Sequence, residues 1–163
     1  MRGVMSRLVV GRTILLLACV RLGFGGGFCP TTLPGSPAFK PPIPYREMII
    51  DGFWYGSDAL WVHLPLDGTW RNLPFNAGSY GQKIFWFSRD YDWHKEPHPN
   101  IVVTSKRVDA GGPTFTLENA TNAIFSGNMQ AMLTGAILPT TGCWEITGRY
   151  RGNALSFVVS VER

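Results

Sequence analysis

The sequence predicts an all-β fold, a β-sandwich of about eight antiparallel strands behind an N-terminal leader. Three observations carry that prediction. Residues 142–163 alternate apolar and polar side chains on both sides of a tight turn. Charged residues make up only 16% of the chain while 19 Gly and 12 Pro supply turns, a balance that suits strands and loops better than helices. Short apolar runs bounded by Gly, Pro, Asp and Asn recur along the chain, with no internal repeat and no long helical periodicity.

The leader comes first. Arg2 and Arg7 form a basic start, and "LVVGRTILLLACV" follows, apolar but broken by Gly11 and Arg12. It is too short and too interrupted for a spanning helix. Ala18 before Cys19 at the end of the apolar run resembles a bacterial lipoprotein box, with Cys19 as the lipid attachment point. An ordinary cleaved signal, an uncleaved anchor and a later start at Met5 stay open beside it. Cleavage before Cys19 removes Arg2, Arg7 and Arg12, so the net charge falls from +4 to +1. The basic balance then belongs to the leader, and no basic patch argues for nucleic acid.

The expected layout is a signal over 1–19, a Gly/Pro-rich tether over 20–44 and a sandwich domain over 45–163. "RLGFGGGF" reads as flexible, and the six prolines of residues 30–45 read as extended chain without partners of its own. Within the domain, Leu60, Val62 and Leu64 alternate with Trp61 and His63, and "PLDGTW" turns the chain back. "QKIFWFS" is apolar on both faces, as expected of a central strand or of an edge that offers aromatics to a partner. "NIVVTSKRV", "PTFTL" and "NMQAMLTGAIL" supply further strands before the final hairpin.

That hairpin is centred on Gly152-Asn153, read as a type II′ turn. Gly148 then faces Phe157, Ile146 faces Val159 and Trp144 faces Val161, all toward the core. Glu145, Thr147, Arg149, Ser156 and Ser160 take the other face, where Val158 is the apolar exception. Cys143 falls on that polar face, opposite Glu162. With Cys19 lipidated, Cys29 and Cys143 remain as an even pair in an oxidising compartment. A Cys29–Cys143 disulfide is expected, reaching Cys143 from outside the sandwich; two free thiols are the alternative.

The stretches "GCWEITGRYRGNALSFVV" and "DGFWYGSDALWVHLP" resemble those of bacterial cell-envelope proteins, many of which carry lipoprotein signals. The resemblance covers most of residues 45–161. It implies an immunoglobulin-like sandwich outside the cytoplasm and brings no enzymatic activity with it.

Candidate chemistry concentrates in "SRDYDWHKEPHPN". His94 and His98, with Asp90, Asp92 and Glu96, offer metal-ligand types, but Pro97 and Pro99 prevent a helix that would align the two histidines. No serine sits in a nucleophile elbow, and the glycines fall in turns, not in a strand-to-helix phosphate loop. "NAT" at 119–121 is a glycosylation sequon. Trp144 and Trp86 are expected in the core. Trp61, Trp70 and Trp93 are expected as surface aromatics, rimmed by His94 and His98, able to stack on a sugar or fill a protein groove. The expected function is a non-enzymatic binding or structural module, lipid-anchored in the envelope, without a cofactor and with an envelope protein or glycan as partner. The competing reading is a small metal-binding or hydrolytic protein using loop 90–98.

Overall fold

The computed structural model describes residues 28–47, 51–125 and 129–163. The leader and Cys19 lie outside the described residues. The described chain is all β apart from one 3₁₀ turn at Tyr45–Glu47, and no helix among the described residues is long and apolar enough to cross a membrane.

The first large sheet, sheet A, contains β1 (Phe53–Ser57), β2 (Leu60–Leu64), β6 (Ile84–Phe87), β10 (Gln130–Thr134) and β9 (Thr121–Ile124), in that spatial order. The second, sheet B, contains β3 (Thr69–Trp70), β13 (Asn153–Val161), β12 (Gly142–Tyr150), β7 (Val102–Arg107) and β8 (Thr114–Leu117). A small sheet C joins β11 (Ile137–Leu138), β5 (Ser79–Gly81) and β4 (Phe75–Asn76). All pairings are antiparallel except β3 with β13. The stretch "QKIFWFS" is central: β6 lies between β2 and β10.

Sheets A and B share one core. Leu60, Val62, Trp86 and Met132 from sheet A meet Trp144, Ile146, Phe157 and Val159 from sheet B. Trp86 is its centre. Its ring lies 5.7 Å from that of Phe157, and its Nε1 donates to Thr134 Oγ1 at 2.9 Å, so the buried indole leaves no unpaired donor. Gly148 serves this ring: a Cβ there would sit 2.5 Å from the Trp86 indole. The space left by Gly148 is therefore filled from the opposite sheet, not by Phe157, which pairs with Ile146.

The C-terminal hairpin differs from the sequence reading by two residues of register. Tyr150 pairs with Asn153, Ile146 with Phe157 and Trp144 with Val159. The turn residues are Arg151 and Gly152, both left-handed at φ 48° and 78°, which is the type I′ pattern and not II′. Arg151 is held in this unfavourable region by two contacts of its guanidinium, to Asp90 O at 2.7 Å and Glu96 Oε2 at 2.9 Å. A slip of two preserves face, so Trp144, Ile146 and Phe157 still point inward. Cys143 stays on the outer face, opposite Ser160 and not Glu162.

Residues 28–44 are not a free tether. Cys29 is bonded to Cys143, with 5.5 Å between their Cα atoms. Thr32 N donates to Val158 O at 2.8 Å, and Val158 N donates to Thr32 Oγ1 at 2.9 Å. The strap thus bonds to the backbone of β13 at Val158. It passes the β2–β3 turn, where Thr31 fills the space beside Gly68, and reaches the outer face of sheet A. There Phe39 and Tyr45 pack on Trp61, at ring distances of 6.1 and 5.5 Å. The prolines that suggested a partnerless spacer leave the strap little entropy to lose on docking.

Candidate functional site

Loop 88–100 is tied down by Glu96. Its Oε2 accepts from Tyr150 Oη at 2.6 Å and from Arg151 at 2.9 Å, while its Oε1 accepts from Asn100 N at 2.8 Å. Burial pushes the Glu96 carboxyl up, but the bonds from Tyr150, Asn100 and Arg151 outweigh it and hold the group below its usual range. Burial, then the charges of Glu96 and Asp92, push the Tyr91 phenol up to about 12. Burial and the bond to Glu96 likewise raise Tyr150.

His94 is exposed, 3.3 Å from Asp92 Oδ1, and its ring lies against that of Trp93 at 4.0 Å. His98 is exposed at a polar hollow beside Asn100 and Glu118. Among the described residues, no three His, Cys, Asp or Glu side chains converge as a metal site would require. Of the acids of this loop, Glu96 holds the hairpin tip, while Asp92 bonds His94 and Lys95 within the loop.

The tryptophans are placed differently from the expectation of a surface set. Trp70 is buried, because β3 pairs in parallel with β13 and sets the ring 6.1 Å from Phe157. Trp61 does lie on the outer face of sheet A, opposite the face of Leu60 and Val62, but its exposure is 0% because the strap covers it. Among the described residues its Nε1 has no hydrogen-bond partner. Trp93 is half-buried against the main core, with its backbone N–H donating to Gln130 Oε1 at 2.8 Å. None of the three is an open aromatic platform.

A different aromatic surface is open. The outer face of sheet A carries Trp54, Trp61, Phe85, Phe87 and Ala131, with Phe125 just past the end of β9. Trp61 and Phe87 stack 6.0 Å apart at 14°, and Tyr45 stands edge-on to Phe87 at 5.3 Å. The Tyr45 hydroxyl lies 3.3 Å from both N and O of Gln130 and fixes the strap over this half of the face. Phe85 and Phe125, 5.2 Å apart, are only half-buried.

Beside them is a hollow of about 230 Å³, walled by Phe85, Phe87 and Phe125, with His63, Gln82 and Lys83 also lining it. Trp70 and Ile84 close its inner end. His63 packs edge-on against Trp54 at 5.1 Å. Burial lowers its pKa, and the nearby Asp51 charge offsets this only in part, so the imidazole is neutral at pH 7. Sequence reading reached half of this site through the two-faced apolarity of "QKIFWFS". It missed Phe125 and His63, whose approach to Phe85 depends on the pairing of β2, β6, β10 and β9. No family model, curated protein or solved structure matches the chain.

Proposed function

We propose that the protein is an exported, lipid-anchored, non-enzymatic binding module of the bacterial cell envelope, built as an immunoglobulin-like sandwich. The observation that carries the binding role is the outer face of sheet A. It is aromatic where a solvated sheet face is ordinarily polar, and the strap covers only part of it. The Cys29–Cys143 bond suits an oxidising compartment. The apolar run ending at Cys19 supplies the anchor in this reading, and the likeness of "GCWEITGRYRGNALSFVV" to envelope proteins points the same way.

The experiment is site-specific photocrosslinking in cells that produce the protein. A benzophenone amino acid is placed at Phe85, on the open part of sheet A, or at Ser156, exposed on the outer face of sheet B. A discrete adduct at 85 and none at 156 is the expected result. Equal labelling at both positions, or none at 85, would sink the binding role. Lipid on Cys19, read by mass spectrometry of the N-terminal peptide from the membrane fraction, tests the anchor separately.

A further inference from the structure

We infer that the hollow beside Phe85 binds a small amphipathic anion, an apolar ring or short acyl chain carrying a carboxylate. The inference rests on the binding-module reading and names the ligand chemistry of the same site. Size comes first. The volume of about 230 Å³ exceeds the ~150 Å³ that holds a benzene ring and falls below the ~300 Å³ at which drug-sized sites begin. One ring with a substituent, or a short chain, fills it.

The walls are the second consideration. Phe85, Phe87 and Phe125 present hydrocarbon, and among the described residues no hydroxyl or carboxylate side chain lines the hollow. A sugar needs many hydrogen-bonding partners, and few are present. The Gln82 amide already uses one of its N–H groups on Lys83 O at 3.0 Å. An apolar body on the phenyl rings leaves no polar group stranded.

Charge is the third. Of the groups lining the hollow, His63 is neutral and Lys83 alone carries a fixed charge. Among the described residues, Lys83 has no carboxylate within ion-pairing distance, a state it shares with Lys40, Lys106 and Arg149; it differs from them in lining an aromatic hollow. Asp51 acts on His63 but does not line the hollow, so it does not neutralise the Lys83 end. An unpaired ammonium at the mouth of an aromatic hollow is complementary to an anion attached to an apolar body.

The test uses the full chain with its disulfide formed, titrated and followed by amide NMR shifts. Two carboxylates, 4-ethylbenzoate and octanoate, are compared with their neutral counterparts, 4-ethylbenzyl alcohol and 1-octanol. At least one carboxylate is expected to saturate the hollow about tenfold more tightly than its alcohol, the gain of a single charge-assisted contact. Lys83→Gln should abolish that preference while leaving the alcohol unchanged, and Phe85→Ala should weaken both. Whichever carboxylate binds better decides between ring and acyl chain, and either choice supports the proposal. Equal affinity of acid and alcohol, an unchanged carboxylate in Lys83→Gln, or no saturation by either acid would overturn it. If the crosslink at 85 persists while both acids fail, the ligand class is wrong and the binding role stands. If the acids bind but position 85 gives no adduct in cells, the binding role fails instead.

Discussion

The outer faces of the two large sheets are opposites. Sheet B shows solvent a conventional surface of Glu145, Arg149, Ser156 and Ser160, and Thr147 and Ser156 hydrogen-bond across it at 2.7 Å. Sheet A carries Trp54, Trp61, Phe85 and Phe87 there, with Trp61 and Phe87 buried and Trp54 and Phe85 half-buried. One strap crosses both faces, yet it is held by different forces on each. On sheet B the attachment is covalent and polar, through Cys143 and the two Thr32–Val158 bonds. On sheet A it is a cluster of rings closed by the Tyr45 hydroxyl. The difference teaches that a sheet face is specified by what covers it. The polar face needs only a clasp, whereas the aromatic face needs a cover, and where the cover ends a hollow remains.

The largest effect should come from the clasp. Cys29 and Cys143 are 114 residues apart, so the chain-entropy model assigns the bond about 5 kcal/mol. Cys29→Ser with Cys143→Ser should lower the urea-unfolding free energy by about that amount. It should nevertheless leave Trp61 shielded from acrylamide, since Phe39 and Tyr45 dock independently of the clasp. If Trp61 becomes as quenchable as a free indole, the two attachments are one cooperative unit, and the contrast drawn between them fails.

The aromatic cover comes next. Phe39→Ala with Tyr45→Ala removes two half-buried rings and should cost about 3 kcal/mol, less than truncating two fully buried ones. The measured stability should fall while the disulfide forms normally, and Trp61 should become accessible to quencher. A loss of stability with Trp61 still shielded would mean that another group covers it.

How much of this contrast is readable in the sequence depends on the distance over which it is encoded. The alternation in 142–161 is local, so the faces of β12 and β13 were assigned correctly even with the register two residues off. The register itself depended on Arg151 taking a left-handed conformation, and that rests on Asp90 and Glu96, some sixty residues earlier. The position of Cys143 on the outer face of sheet B follows from parity alone. Trp61 was placed on the right face, but its burial was not legible. Its cover comes from Phe39 and Tyr45, in a proline-rich stretch whose composition suggests an unattached spacer. Trp70 was misplaced because a two-residue strand has no period to read, and the parallel pairing with β13 turns its ring inward. The hollow is the least legible feature, since its lining comes from three strands and two connecting segments.

The smallest effect is also the most specific test of why sheet B is polar. Thr147 is buried and its hydroxyl bonds Ser156 Oγ at 2.7 Å. Replacing one partner leaves the other hydroxyl without its bond, and Thr147→Val alone should cost about 1 kcal/mol. Replacing both with valine, a residue that suits strands, removes the unpaired group, and the double variant should return to within about 0.5 kcal/mol of the parent. If so, the hydroxyls are not needed to hold the sheet together, and the polarity of this face serves solubility. The double variant should then show concentration-dependent association in sedimentation, because it extends the apolar surface around Val158. If it stays monomeric and loses 2 kcal/mol or more, the polar pair is a structural part of sheet B. The two faces would then differ in what holds each sheet together as well as in what covers it.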